Sequence, residues 1–161
     1  MDTERLFVYG TLLPGLEPPH LRPLVRSLGD GIQATIAGAL LDLGRYPGAI
    51  LEPSHLIKPA ASTPQRLHLE SAWRRACTVM PAVNENSRIR GLLFDLPTDP
   101  SVLRAFDQYE GCDEVRELAE FVRVLGTATL EDDSTVTTWI YGLSSLPTRA
   151  RVIPGGDYRL R

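Results

Sequence analysis

The chain has 161 residues, of which 43% are hydrophobic, and this is enough for one domain with a single core. Seventeen basic and twenty acidic residues give a net charge of −3, and the scattered basic residues argue against a nucleic-acid-binding surface. No apolar run approaches the roughly 20 residues that span a bilayer, and the polar start of the chain does not resemble a signal sequence. We therefore expect a cytoplasmic protein that binds neither nucleic acid nor membrane.

Cysteine and histidine usage predicts neither a disulfide nor a metal site. Cys77 and Cys112 are far apart in the chain, and without a secretory signal such thiols are usually free. His20, His55 and His68 lack the spacing that places two ligands on one helix face or beside a cysteine pair. The sequence predicts a protein that holds no metal.

The first part of the chain predicts three strands and one short helix. Residues 5–9 are an apolar run ended by a glycine, and residues 18–28 repeat apolar side chains every three or four positions. Residues 32–43 are β-rich, and a Tyr-Pro-Gly turn at 46–48 separates them from a short strand at 49–51.

Periodicity is weak between Glu52 and Arg88, where prolines are frequent. Only residues 65–78 carry a pattern that could form an amphipathic helix. A stretch of this kind is typical of a lid, an insertion or a mobile segment. We expect a single domain over 1–161 with an elaboration outside the sheet at about 52–88.

The second part of the chain predicts a strand, a helix and a hairpin. A strand at 89–96 precedes a helix that starts at Thr98 or Asp99 and ends before Gly111. Two β-rich runs, 120–130 and 135–143, flank a polar turn, and we expect the Pro/Gly/Arg-rich tail after them to pack on the surface. Strands outnumber helices without regular alternation, which favours an α+β fold with a curved or closed sheet and two short helices.

The loop after the first strand is the first candidate site. Gly10 would let the backbone approach a ligand closely, and consecutive amides in such a turn can hold a carboxylate or an oxyanion. A glycine after a strand is also often only a turn. The loop lacks the spacing of a phosphate-binding loop.

Glu110 is the second candidate, because it stands at the C-terminal end of the predicted helix. The negative end of the helix dipole and burial would both raise the pKa of its carboxyl, which would make it a better proton shuttle near neutral pH. A solvent-facing glutamate is the alternative. Asp107 lies one turn earlier and could form a structural salt bridge with Arg104 or Arg116.

Several segments, taken in order, resemble those of the γ-glutamylcyclotransferase-like family, also called AIG2-like. They cover most of residues 5 to about 143, without the 52–88 stretch, and the closing residues 154–158 are similar to the tail of small bacterial members. The segments are Tyr9–Leu12, Tyr46–Gly48, Ile89–Phe94, Leu103–Gly111 and Phe121–Arg123.

The resemblance implies a small mixed β-barrel with flanking short helices. It also implies an enzyme that releases 5-oxoproline from a small γ-glutamyl substrate and needs no metal or cofactor. Glu110 matches the family's general acid/base, and Tyr9, Gly10, Thr11 and Leu12 match its substrate-binding loop. Phe121 stands where the family commonly has a tyrosine.

Three functions are compatible with these residues. The favoured one is a γ-glutamyl cyclotransferase that acts on a γ-glutamyl amine or small peptide. The second is a catalytically silent barrel that binds a small carboxylate or a partner peptide, although Glu110 would repel such an anion. The third is another lyase or hydrolase in which Asp107 and Glu110 act as a pair.

Overall fold

The computed structural model describes residues 3–57, 64–112 and 120–160, and its centre is a closed five-stranded barrel. The strands follow the order β2-β4-β1-β6-β5, and β5 pairs again with β2 to close the barrel. Every pairing between neighbours is antiparallel except that of β1 with β6. The barrel strands are β1 Arg5–Val8, β2 Ile32–Asp42, β4 Arg88–Asp95, β5 Phe121–Leu130 and β6 Thr135–Leu143.

Two further strands extend the second half of β2. β3 (Pro47–Leu51) pairs with residues 38–42, and β7 (Arg151–Val152) pairs with residues 41–42. The long β2 therefore belongs to the barrel at its start and to a small side sheet at its end. The α+β prediction is confirmed, and so is the mixed barrel that the family resemblance implies.

Three α-helices flank the barrel: α1 Arg22–Ser27, α2 Pro64–Val79 and α3 Pro100–Glu110. The Asp99 side chain caps α3 by accepting a hydrogen bond from the Ser101 amide at 2.9 Å. Gly111 ends α3 in the left-handed conformation with φ 76°. Both ends of this helix agree with the sequence prediction, and its apolar side buries Val102 and Phe106 against the barrel.

The stretch at 52–88 contains α2, a third helix beyond the two that the sequence favours. Ala72 and Ala76 pack α2 against Ile50 of β3, outside the barrel. Among the described residues of 52–87, the one β-type pairing is an isolated bridge between Leu56 and Gly126. Residues 58–63 lie outside the described part of the chain.

The C-terminal tail differs from the prediction that it packs on the surface. Ile153 and Tyr158 are buried in the same cluster as Phe7 and Ile89 of the barrel. These two apolar side chains therefore fill part of the barrel core, although they make no periodic pattern in the sequence.

Among the described residues, neither Cys77 nor Cys112 forms a disulfide. Within the described ranges, no helix is both long enough and apolar enough to span a bilayer.

The packing of the tail predicts unequal effects of alanine at two neighbouring glycines. Gly155 and Gly156 both have positive φ (76° and 67°), but only at Gly156 would a Cβ overlap a described backbone atom, the Arg88 carbonyl oxygen. We expect Gly155→Ala to lower the free energy of unfolding by about 1 kcal/mol and Gly156→Ala by about 3 kcal/mol or more. Urea unfolding of the two variants measures both values, and equal losses would show that the tail does not pack tightly on β4.

Candidate active site

One cavity of about 300 Å³ lies where the β1 end, the α3 end and the β5 start meet. It is lined by all five residues that the sequence singles out, Tyr9, Gly10, Thr11, Leu12 and Glu110, so the structure brings the loop and the glutamate together. The other lining residues are Phe7, Val8, Tyr46, Pro47, Tyr109, Glu120, Phe121 and Tyr141. Sequence reasoning missed Glu120, Tyr109 and Tyr141 as site residues, since nothing in their local pattern separates them from surface or core positions.

The loop after β1 is held by contacts on both sides. The Tyr9 hydroxyl donates to the Tyr141 carbonyl at 2.6 Å in a buried position, and the Thr11 hydroxyl shares a hydrogen bond with the Tyr109 hydroxyl at 2.8 Å. The Leu13 amide donates to the Gly10 carbonyl at 2.9 Å and closes a tight turn. The loop is thus tied to β6 and to the last turn of α3.

Gly10 is required by a close approach. A Cβ at this position would lie 2.6 Å from Cγ of Pro47, which is itself part of the cavity wall. The proline ring has little freedom to move away. The glycine is therefore more than a turn residue, because a side chain would push the loop away from the opposite wall.

The backbone of the loop runs along the cavity, because Gly10, Thr11 and Leu12 all line it. Among the described residues, no turn, cap or side-chain hydrogen bond is donated by the amides of these three residues. Consecutive amides in such a turn can form an anion-binding concavity.

Glu110 is the last residue of α3 and its carboxyl is partly withdrawn from water. Burial raises the pKa of Glu110 from its ordinary 4.5 to about 7, and the negative charge of Glu120 contributes to the same shift. The raised pKa was expected from the residue's position, but its second cause is a neighbouring carboxylate. Near neutral pH this carboxyl can both accept and return a proton.

Asp107 does not line the cavity and has a different partner from the two that the sequence offered. Its Oδ1 atom accepts two hydrogen bonds, both at 2.8 Å. One comes from Nε of Arg123 and the other from the Tyr141 hydroxyl. Arg104 is exposed, and Arg116 lies outside the described residues. The carboxylate therefore anchors α3 to β5 and β6.

Glu120 stands at the rim of the cavity, immediately before β5. The Tyr46 hydroxyl donates to both of its carboxylate oxygens, at 2.9 and 2.8 Å. The ring of Tyr46 contacts that of Phe121, with centroids 6.0 Å apart. Phe121 itself brings no hydroxyl group to the wall.

The described wall of the cavity carries negative charge only. Its charged residues are Glu110 and Glu120, and none of its described members is a lysine, arginine or histidine. No group of three potential metal-ligating side chains comes together in the part of the chain that the structure describes. The arrangement favours proton transfer by a carboxyl group within a tyrosine-rich pocket.

The family model described as gamma-glutamyl cyclotransferase, AIG2-like, matches residues 54–160 of the chain. This range includes Glu110 and also most of the 52–88 stretch, which lies outside the segments that carry the family resemblance. The loop at Tyr9–Leu12 lies before the matched range, so its place in the site comes from the structure. No curated protein is similar enough in sequence to count as a match.

Solved structures show the same fold at low sequence identity. YkqA from Bacillus subtilis is 18% identical with a TM-score of 0.53, and the alignment covers 99% of this chain but only 40% of YkqA. The uncharacterized protein PH0828 from Pyrococcus horikoshii is 14% identical with a TM-score of 0.51, over 98% of this chain and 92% of that one. An AIG2-like protein from Mus musculus is 17% identical with a TM-score of 0.52, over 92% and 82%.

The raised pKa of Glu110 predicts a specific pH dependence of stability. Below the ordinary pKa of 4.5 the carboxyl is protonated in both states, whereas between 4.5 and about 7 the unfolded chain loses the proton first. The free energy of unfolding should therefore fall as pH rises through this range. Glu110→Gln removes this term, so the variant should match the parent at about pH 4 and be up to about 3 kcal/mol more stable at about pH 8.

Urea unfolding across this pH range measures the difference between variant and parent. Glu131→Gln is the matched control, since Glu131 is exposed in the turn between β5 and β6. A Glu110→Gln variant no more stable than the parent at high pH would mean that the carboxyl is well solvated.

Proposed function

The chain belongs to the gamma-glutamyl cyclotransferase, AIG2-like family, and we propose that it releases 5-oxoproline from a γ-glutamyl amine or small γ-glutamyl peptide. One observation carries the proposal: Glu110, whose pKa burial raises to about 7, and the loop at Tyr9–Leu12 line the same cavity. The two features meet although the chain separates them by most of its length.

The reaction needs one proton shuttle. The substrate's own α-amino nitrogen attacks its γ-carbonyl carbon, so a carbon–nitrogen bond forms within the substrate while the bond to the amine breaks. Glu110 takes the proton that the attacking nitrogen gives up and returns it to the leaving amine. No water is consumed, and the carboxyl ends in the protonation state in which it began.

A carboxyl with a pKa near 7 is suited to both steps. An ordinary glutamate would be a weak base toward an ammonium group and would seldom be protonated at neutral pH. The shift of Glu110 toward neutrality brings the two transfers closer in free energy.

The loop supplies the charge stabilisation in this proposal. In it, the amides of Gly10, Thr11 and Leu12 bind a negative group of the substrate, either its α-carboxylate or the oxyanion that develops on the γ-carbonyl. The hydrogen bond between Thr11 and Tyr109 joins this loop to the residue next to Glu110. This contact keeps the loop and the Glu110 carboxyl in a fixed relative position.

A nucleophilic side chain is unnecessary, because the attack is intramolecular. Holding the substrate folded upon itself supplies the proximity that a covalent mechanism would otherwise provide. Phe121 in the wall bears no hydroxyl, and the hydroxyl of Tyr46, whose ring contacts Phe121, lies in the same part of the cavity.

We expect Glu110→Gln to reduce turnover strongly while substrate affinity changes far less. The amide keeps the shape but cannot carry a proton, so 5-oxoproline release from a panel of γ-glutamyl amines, dipeptides and glutathione should fall by roughly 10²–10⁴-fold. Unchanged turnover would remove the general acid/base from the mechanism. Binding of γ-glutamyl compounds by the parent without any 5-oxoproline would favour the silent carboxylate-binding barrel.

Asp107→Asn distinguishes one catalytic carboxylate from two. Asp107 itself does not line the cavity, and the amide oxygen of asparagine can still accept hydrogen bonds from Arg123 and Tyr141. The loss of charge should therefore lower the free energy of unfolding by about 1–3 kcal/mol, and the folded variant should keep most of its turnover. If Asp107→Asn costs as much turnover as Glu110→Gln, a paired-carboxylate mechanism replaces the single glutamate.

Gly10→Val tests the loop. The new side chain would collide with Pro47, so we expect binding of a γ-glutamyl substrate to be lost. Gly10 is not among the glycines with positive φ, so valine brings no backbone strain and the free energy of unfolding should fall only moderately, by about 1–2 kcal/mol. Calorimetric titration and urea unfolding measure the two effects, and normal binding by the variant would show that the loop is only a turn.

A further inference from the structure

The two acidic residues of the cavity lie at different depths. Glu110 is partly buried, whereas Glu120 is exposed at the opening. Of the described arginines whose charge reaches this region, Arg123 is paired with Asp107, and Arg45 is an exposed neighbour of Tyr46 outside the lining. A ligand that enters the cavity therefore passes a carboxylate before it reaches Glu110.

The Glu120 carboxylate is fixed in position. Both of its oxygens accept from the Tyr46 hydroxyl, and its backbone carbonyl accepts from the Ser144 amide at 2.9 Å. A carboxylate has about four lone-pair sites, so the exposed Glu120 keeps further acceptor sites for a ligand. A fixed charge loses less side-chain entropy on binding a ligand than a freely rotating glutamate does.

The part of a substrate that meets this charge follows from the reaction. The γ-glutamyl unit must lie against the loop and Glu110, since both the attacking nitrogen and the scissile bond belong to it. The leaving amine then extends toward the opening. We propose that Glu120, held by Tyr46, is a specificity-determining residue that selects leaving amines bearing a second, cationic group and disfavours those bearing a carboxylate.

This inference rests on the proposed cyclotransferase function and adds to it the chemical class of the leaving group. A diamine presents an ammonium group to Glu120 and gains a charge-assisted hydrogen bond. A leaving group that ends in a carboxylate, as peptides do, meets a like charge with no described cation in the wall to neutralise it.

Three substrates of equal chain length test the proposal: the γ-glutamyl derivatives of 1,4-diaminobutane, n-butylamine and 4-aminobutanoic acid. Their leaving groups differ mainly in end charge, which is positive, neutral or negative. We expect kcat/KM for 5-oxoproline release to fall in that order, by roughly tenfold between successive members at low salt. The differences should shrink as ionic strength rises.

Variants test whether Glu120 and Tyr46 cause the preference for a cationic leaving group. Glu120→Gln should bring the three kcat/KM values to within about threefold of one another, and Tyr46→Phe should reduce the preference partially because the carboxylate is no longer held. A change at Glu120 can also affect Glu110, but that effect is the same for all three substrates. The ratios of their kcat/KM values therefore do not depend on it. Glu131→Gln, at the far end of β5, should keep the order of the parent.

The outcomes separate this inference from the function on which it depends. If the parent releases 5-oxoproline from none of the substrates, the proposed function fails. If it turns over all three at similar rates, or if Glu120→Gln keeps the order of the parent, the function stands and the role of Glu120 is overturned.

Discussion

The ionic contact between Asp107 on α3 and Arg123 on β5 sets the geometry of the site. Arg123 is also stacked on Trp139, with its guanidinium carbon 4.2 Å from the ring centroid, and Tyr141 donates to the same carboxylate. A helix that slid by one turn would move about 5.4 Å along its axis and carry Glu110 out of the cavity. The partly buried, charge-assisted hydrogen bonds to Asp107 oppose that movement more strongly than apolar packing, which is not directional, would.

A chain of hydrogen bonds extends this anchor to the loop. The Tyr141 side chain binds Asp107, while the Tyr141 carbonyl receives the hydroxyl of Tyr9, the residue that begins the loop. Glu110 and the loop at Tyr9–Leu12 are thereby both linked to one strand, β6. A local change in β6 would therefore disturb both halves of the site together.

The environment of Glu110 lowers the stability of the fold at neutral pH and, in the same way, suits the carboxyl to proton transfer. Burying the Glu110 carboxyl and placing Glu120 near it disfavours the ionised form, which costs folding free energy at neutral pH. The same environment brings the carboxyl's pKa to the range in which it can give and take a proton. The hydroxyls of Tyr46, Tyr109 and Tyr141 are all engaged by neighbouring side chains, which keeps the wall around Glu110 in one arrangement.

The sequence by itself determined the order and type of most elements, with α2 and β7 as the exceptions. The apolar runs of the strands, the Asp99 cap and the Gly111 stop of α3 are local signals, and the structure has the corresponding elements close to the predicted bounds. It also singled out Glu110 and the loop at Tyr9–Leu12, through a residue type unusual at a helix end and through the family resemblance.

Only the tertiary structure decided which side chains surround Glu110 and the loop at Tyr9–Leu12. The partner of Asp107 is Arg123, on a strand whose register in the barrel is set by pairings with distant segments. The placing of Glu120 and Tyr46 at one rim, and the burial of Ile153 and Tyr158, depend on the closure of β5 on β2 and on the side sheet. Hydrogen bonds and burial depend on distances of a few ångströms in space. Contacts between residues that are far apart in the chain therefore leave no local pattern in the sequence.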